Sequence, residues 1–482
     1  MAEAAEAPRP RPNIGAAIAA AEARQRRSLL RNHGGGHAAV TNLELFFDLV
    51  FVFAITQLSH TLLASLTPTG IGEVLVLFAA VWWAWMWTTW ATNWIDPDRA
   101  EVRLLLGILM LCSLAMAAAI PSAFDGAGLL FAGSYVAIQV GRCVFTAWAM
   151  ERDERGAGLN MIRATCWFSA SAPLWIAGAL VSDDSWQLGL WLTALGVEYL
   201  APMLFLYVPG LGRSHLGEWM ISGSHMAERC GLFVIIALGE GLVITGATYA
   251  GAKPQPWLDH ALVTAFVGSF VMWWLYFDMG AQRGARHIQT HKLPGLVARQ
   301  AFTYWHIPIV AGIVVLAVAD EMVLAHPGEA LHLDMLGVVV LGMALFIGGL
   351  AGFKRISSGN PWFPASHVYG AALLVPLALW GWLAHPGSLA FYAAAILILA
   401  LIAVWEWGSF HGGWMERMER RNWWLARVLR RRIERLRARR LARGEQRGSG
   451  GLGRRGGARP RGIRRRGCCR PSQSTPRADA RG

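Results

Sequence analysis

Charge is scarce in this chain. Only 16% of its 482 residues are Asp, Glu, Lys or Arg, and lysine is almost missing, with three residues against 41 arginines. Uncharged apolar stretches of about 20 residues recur instead, the length a helix needs to cross hydrocarbon, and a soluble domain of this size does not read this way. Cysteine is sparse as well: Cys112, Cys143, Cys166 and Cys230 lie in apolar runs and Cys468 and Cys469 are adjacent near the end, which offers neither metal-ligand spacing nor a pairing pattern for a disulfide framework. There is no Ser/His/Asp grouping, no His-Glu-x-x-His and no phosphate-cradling glycine loop, so the expectation is a protein that is not an enzyme and takes no cofactor or metal. The apolar stretch at 14–21 is too short for a cleavable signal, and the first long apolar run is expected to direct insertion.

What the chain has in abundance is hydrophobicity, at 55% apolar residues. Its pattern predicts an all-α, polytopic helical membrane bundle with about 12 transmembrane helices, at 43–66, 73–95, 102–121, 128–150, 161–181, 186–208, 226–249, 258–280, 301–323, 333–353, 362–384 and 388–407. Short loops rich in Arg and Lys stay on the cytoplasmic side. With the N-terminus inside, the inner connections hold Arg99, Arg152, Arg155, Arg213, Arg283, Arg286, Lys292, Lys354 and Arg355, whereas the outer ones hold only Lys253. Both termini are therefore expected in the cytoplasm.

The segments group into a tail at 1–42, a six-helix half at 43–208, a linker at 209–225, a second half at 226–407, a basic amphipathic helix at 408–443 and an Arg/Gly-rich disordered tail at 444–482. The net charge of +13 misrepresents the membrane body, because residues 408–482 carry +18 and leave −5 for everything before them. An arginine-rich helix with Trp423, Trp424 and Leu425 on its apolar side suits anionic lipids at the inner leaflet. The bilayer is the expected partner; nucleic acid is not expected, a small solute or ion is unidentified, and a homodimer is compatible with the pattern.

Glu44 followed by Leu49-Val-Phe-Val-Phe-Ala-Ile is echoed by Glu228 followed by Leu232-Phe-Val-Ile-Ile-Ala-Leu, and Trp82-Trp83 by Trp273-Trp274. Six helices per half is an even number, so the repeats would share one orientation, related by an axis along the membrane normal. Glu44-Leu-Phe-Phe-Asp48-Leu-Val-Phe-Val, Glu228-Arg-Cys-Gly-Leu-Phe-Val-Ile-Ile-Ala-Leu-Gly-Glu240, Trp273-Trp-Leu-Tyr-Phe-Asp278 and Tyr304-Trp-His306-Ile-Pro308 together resemble the bacterial low temperature requirement protein A family, over about residues 38 to 408. The resemblance implies a bacterial inner-membrane protein of a family named for growth in the cold. Phe47-Asp48 also resembles the first-helix signature of the endolysosomal potassium-channel family, from which the second half departs with Cys230-Gly231.

Ionisable groups inside a span are costly and tend to face a cavity or a partner. Thr41-x-x-Glu44 before an apolar run reads as a capping box. Asp48, one turn further in, is divided between structural pairing and a pathway role. Glu240, about 21 Å into its span at 1.5 Å per residue and flanked by Gly239 and Gly241, is the sharpest candidate for a substrate or ion site. Asp278 and His306, near the cytoplasmic face, extend that candidate pathway, with interfacial anchoring as the plainer alternative. Arg142 and Glu198 reach one depth and read as a structural ion pair. The tryptophans of the second span fit a headgroup belt and packing, with an aromatic binding box as the alternative. His287-x3-His291 makes only a weak metal site. The functional expectation is a secondary transporter or permease with an acidic intramembrane site; the alternative is a non-transporting membrane sensor or scaffold acting through its basic tail.

Overall fold

In lipid a helix satisfies its own backbone, which is why apolar runs of this length fold as they do. The computed structural model describes residues 28–31, 40–153, 155–215, 222–278 and 294–410. The basic helix, the Arg/Gly tail and the His287/His291 pair lie outside the described residues. The chain divides into a unit of residues 1–407 and a second of 408–482.

Twelve helices of 20 residues or more follow in order among the described residues: α1 (Asn42–Ala64), α2 (Pro68–Trp94), α3 (Ala100–Ala119), α4 (Gly128–Asp153), α5 (Leu159–Leu180), α6 (Asp184–Met203), α7 (Gly223–Gly251), α8 (Leu258–Phe277), α9 (Gly295–Ala325), α10 (Leu333–Ser358), α11 (Ala365–Ala384) and α12 (Ser388–Phe410). Ten are long and apolar enough to cross a membrane, the exceptions being α5 and α6. Starts are marked by caps: the Oγ1 of Thr67 accepts from the Gly70 N–H at 3.1 Å, and side chains of Asp183 and Ser222 cap α6 and α7 in the same way. Outward faces are apolar too, with Leu104, Leu111, Val243 and Leu383 exposed, as a lipid-facing surface requires.

Helix α2 is the central pillar. It packs on α1 and α7, on α4, and on α6 and α9, and every residue from Ala80 to Trp94 is buried. Trp82, Trp83 and Trp85 are core residues, not a headgroup belt: Trp82 Nε1 donates to the Thr303 carbonyl at 3.0 Å, and Trp83 stacks on Tyr199 with ring centroids 3.9 Å apart. The belt expectation fails here because a helix in contact with five others has no face left for the membrane interface. Ahead of α1, part of the segment expected as a tail docks against the end of α2, where Arg31 N–H donates to the Trp94 carbonyl at 2.7 Å and Asp96 N–H to the Leu29 carbonyl at 2.8 Å.

The tightest helix crossing is α9 on α10. A Cβ at Gly312 would lie 2.6 Å from the Phe346 backbone nitrogen, and one at Gly349 would lie 2.7 Å from that of Ile309, so glycine lets the two backbones touch. Gly312→Val is expected to destabilise the protein by about 1–3 kcal/mol through overpacking. Gly348→Ala, with open space around its Cα, should be neutral. Thermal unfolding in detergent distinguishes the two; equal transition midpoints would refute the crossing.

Candidate functional site

Two pairs of polar residues at i, i+4 face each other across the α1–α7 seam: Glu44 and Asp48 on α1, His225 and Arg229 on α7. Spacing by four puts each pair on one helix face. All four are fully buried, at 0% exposure.

Glu44 closes the capping box, its Oε2 accepting from the Thr41 N–H at 2.9 Å while Thr41 Oγ1 accepts from the Glu44 N–H at 3.3 Å. The same carboxylate does more than cap. Oε2 also accepts from Arg31 Nη2 at 3.0 Å, and Oε1 lies 2.8 Å from His225 Nε2 and 3.9 Å from Arg229 Nη1. Asp48 Oδ1 accepts from Arg229 Nη2 and from Trp85 Nε1, both at 2.7 Å.

The geometry fixes the imidazole's proton. Asn93 Oδ1 accepts from the Ser222 N–H at 3.0 Å, which turns Asn93 Nδ2 toward His225 Nδ1 at 3.2 Å. Nδ1 is thus an acceptor, and Nε2 carries the hydrogen donated to Glu44. With that histidine neutral, Arg31 and Arg229 balance Glu44 and Asp48. Among the described residues the network is neutral yet incompletely satisfied: Asp48 Oδ2 and the Nε and Nη1 of Arg229 are buried without a hydrogen-bond partner.

The other expected pathway residues do not join it. Glu240 is half-buried further along the same seam, about 16 Å from Arg229 at 1.5 Å per residue, where its Oε1 accepts from Thr56 Oγ1 at 2.5 Å. Asp278 closes the end of α8, its N–H donating to the Trp274 carbonyl at 2.9 Å. His306 is sealed between the Tyr276 hydroxyl on Nε2 at 2.8 Å and the Ala301 carbonyl on Nδ1 at 2.9 Å, a structural arrangement that leaves no ring nitrogen free. Arg142 and Glu198 are not a direct ion pair. Arg142 Nη2 donates to Gln139 Oε1 at 2.6 Å, Gln139 Nε2 donates to the Tyr135 hydroxyl at 2.8 Å, and that hydroxyl donates to Glu198, which also accepts from Ser171 at 2.6 Å and Trp175 at 2.9 Å. Two polar side chains fill the gap because the charges, each solvated by neutral dipoles, need not touch.

His225, Arg229, Trp85, Asn93 and Arg31 are the residues missed in the sequence. For Arg229 the signal was present, since an arginine within an apolar run invites the same question as Arg142. The i, i+4 match of His225/Arg229 to Glu44/Asp48 was legible too. Nothing in the sequence brings Arg31 or Asn93 to this place.

The bundle and its buried charges define a multi-pass α-helical membrane protein whose first and seventh helices are joined by a neutral, sealed ion network. Residues 39–403 match the family described as bacterial low temperature requirement A protein (LtrA), and the chain belongs to that family. It is similar to the uncharacterized protein RA0937 of Rhizobium meliloti (strain 1021), 39% identical over 367 residues that cover 76% of this chain and 88% of that protein. No solved structure matches it.

Removing one partner of a buried pair leaves the other charge stranded and costs about 3–5 kcal/mol, whereas replacing both by apolar residues of similar volume is often neutral. Arg229→Met alone should therefore lower unfolding free energy in detergent by that amount. The double variant Asp48→Leu with Arg229→Met should recover most of the loss; additive losses in the two variants would show that the pair is not energetically coupled.

Proposed function

We propose that the chain is a proton-coupled secondary transporter or permease, with twelve membrane spans in two parallel six-helix halves, and that the Glu44–Asp48–His225–Arg229 network is its coupling centre in an occluded state. The observation that carries this reading is a sealed network, shared between the halves, with unsatisfied charged atoms. A helix cap needs none of Asp48, His225 or Arg229, and burying them costs several kcal/mol that packing alone would not demand. If α1 and α7 part, Asp48 loses Arg229 and becomes a lone carboxylate in hydrocarbon. A proton restores neutrality there without requiring a coordination shell, and His225 provides a second proton acceptor one helical turn from Arg229.

Supporting the twelve-span count, α5 and α6 are 22 and 20 residues long and pack on each other and, through α5, on α4. At 1.5 Å per residue that is about 30 Å, the thickness of the hydrocarbon core. Supporting the duplication, α1 packs on α2 and α3 as α7 packs on α8 and α9, and the contacts of α3 with α4 and of α4 with α5 repeat as α9 with α10 and α10 with α11. The distribution of Arg and Lys among the loops favours an inner-membrane protein with both termini in the cytoplasm.

Purified protein in liposomes loaded with a pH-sensitive dye should take up protons when an inward-negative potential is imposed. Asp48→Asn and Arg229→Gln should each reduce the rate at least tenfold while keeping a monodisperse elution profile. Uptake equal to that of empty liposomes, or unaltered in Asp48→Asn, refutes the coupling centre.

A further inference from the structure

On the side of α2 away from the ion network lies a narrow pocket walled by Trp83, Trp87 and Trp90 of α2, Phe205 just after α6, and Arg299 and Tyr304 of α9. It lies between the halves at the end of the bundle where α2 and α6 finish and α9 begins. A local irregularity builds its far wall. Residues Arg299–Tyr304 form a π turn, closed by the Trp305 N–H donating to the Gln300 carbonyl at 3.2 Å. In an α-helix Arg299 and Tyr304 would point about 140° apart at ~100° per residue; a ladder running i to i+5 brings them to one face.

The described lining is rich in donors, and among the described residues no Asp or Glu lines the pocket. Trp83, itself 0% exposed, leaves its indole N–H without an acceptor. Arg299 spends one N–H on the Pro202 carbonyl at 2.5 Å and lies over the Phe205 ring at 5.8 Å, half-buried at the pocket. Thr303 Oγ1 is taken up by the Trp90 indole at 3.1 Å, which pins that ring to the wall. A narrow aromatic slot with an orphan N–H and a guanidinium recognises a slender hydrocarbon that ends in an oxygen anion.

We infer that this pocket binds an amphiphilic anion, a hydrocarbon chain between the tryptophans with its carboxylate or phosphate on Arg299. The ligand could come from a free fatty acid or from an anionic phospholipid, which share that chemistry. The site is separate from the proposed coupling centre and does not require transport.

The test uses the full-length protein in detergent and a palmitate analogue carrying a photoreactive diazirine on its chain. Crosslinks should map to the tryptophan end of α2 and to residues 202–206 and 295–304. Excess palmitate should displace the probe, and competition by phosphatidylglycerol but not by phosphatidylcholine would assign the phospholipid as the source. Arg299→Gln should weaken labelling at least tenfold, and Arg299→Lys should retain most of it. Leu296→Trp, which fills the slot from a lining position, should abolish labelling even if the Arg299 variants fold poorly. Crosslinks spread over lipid-facing positions such as Leu104 and Leu383, or labelling unchanged in both Arg299→Gln and Leu296→Trp, overturns the assignment.

Discussion

Charge neutrality inside hydrocarbon is the constraint on which this bundle depends. Glu44, Asp48, Arg31 and Arg229 cancel one another, with His225 kept neutral by the donor that Asn93 aims at its Nδ1. Each charge is tolerable only because the others are held in place by different elements: α1 for the acids, α7 for Arg229, and the docked segment before α1 for Arg31. Association of α1 with α7 is thus enforced electrostatically, where lipid supplies no hydrophobic drive for helices to associate. Elsewhere buried carboxylates join other helices through a single hydroxyl or a single counter-charge. Asp320 of α9 takes the Tyr392 hydroxyl of α12 at 2.5 Å, and Glu406 of α12 takes Lys354 of α10.

Much of the fold was legible because hydropathy measures what lipid demands. Each expected segment overlaps a helix, and the boundaries shift mainly where caps decide them, as at Ser222, which starts α7 several residues before its apolar run. Periodicity could not show which helix stands in the middle. An apolar helix looks alike whether its faces meet protein or lipid, so the tryptophans of α2 fitted a headgroup belt as well as packing when they are buried in the core. The docking of Leu29 and Arg31 was likewise hidden, because a short piece of strand-like pairing with Ile95 has no periodic signature.

The site was half legible. Burial cost singled out Asp48, Glu44, Arg142, Glu198 and Glu240, and all five have polar partners. Cost alone does not reveal the identity of a partner. For Arg142 and Glu198, equal depth suggested contact, yet Gln139 and Tyr135 lie between them, and Ser171 and Trp175 add two further donors to Glu198. Asp48 and Glu240 were expected at different depths, and they lie about three helical turns apart along the α1–α7 seam, each with a partner from the facing helix. What the sequence did contain, the four-residue spacing on both helices, becomes informative only once α1 and α7 are known to be neighbours.

Helix α2 connects the two sites. Trp85, Thr89 and Asn93, spaced by four, face the ion network, whereas Trp83, Trp87 and Trp90 face the aromatic pocket. One rigid element thus forms a wall of both. Enclosed from Ala80 to Trp94, it has little freedom to tilt by itself, and the interior is too closely packed to absorb a shift gradually. If α7 moves away from α1, either the Asn93–His225 contact breaks or α2 is carried along and its Trp85–Asp48 contact breaks instead, and carrying α2 along would move Trp83 and Trp90 relative to Arg299 and Thr303. Occupancy of the pocket and separation of the charges would then be linked through a single helix, with the linkage set by how differently an anion binds the two positions of α2.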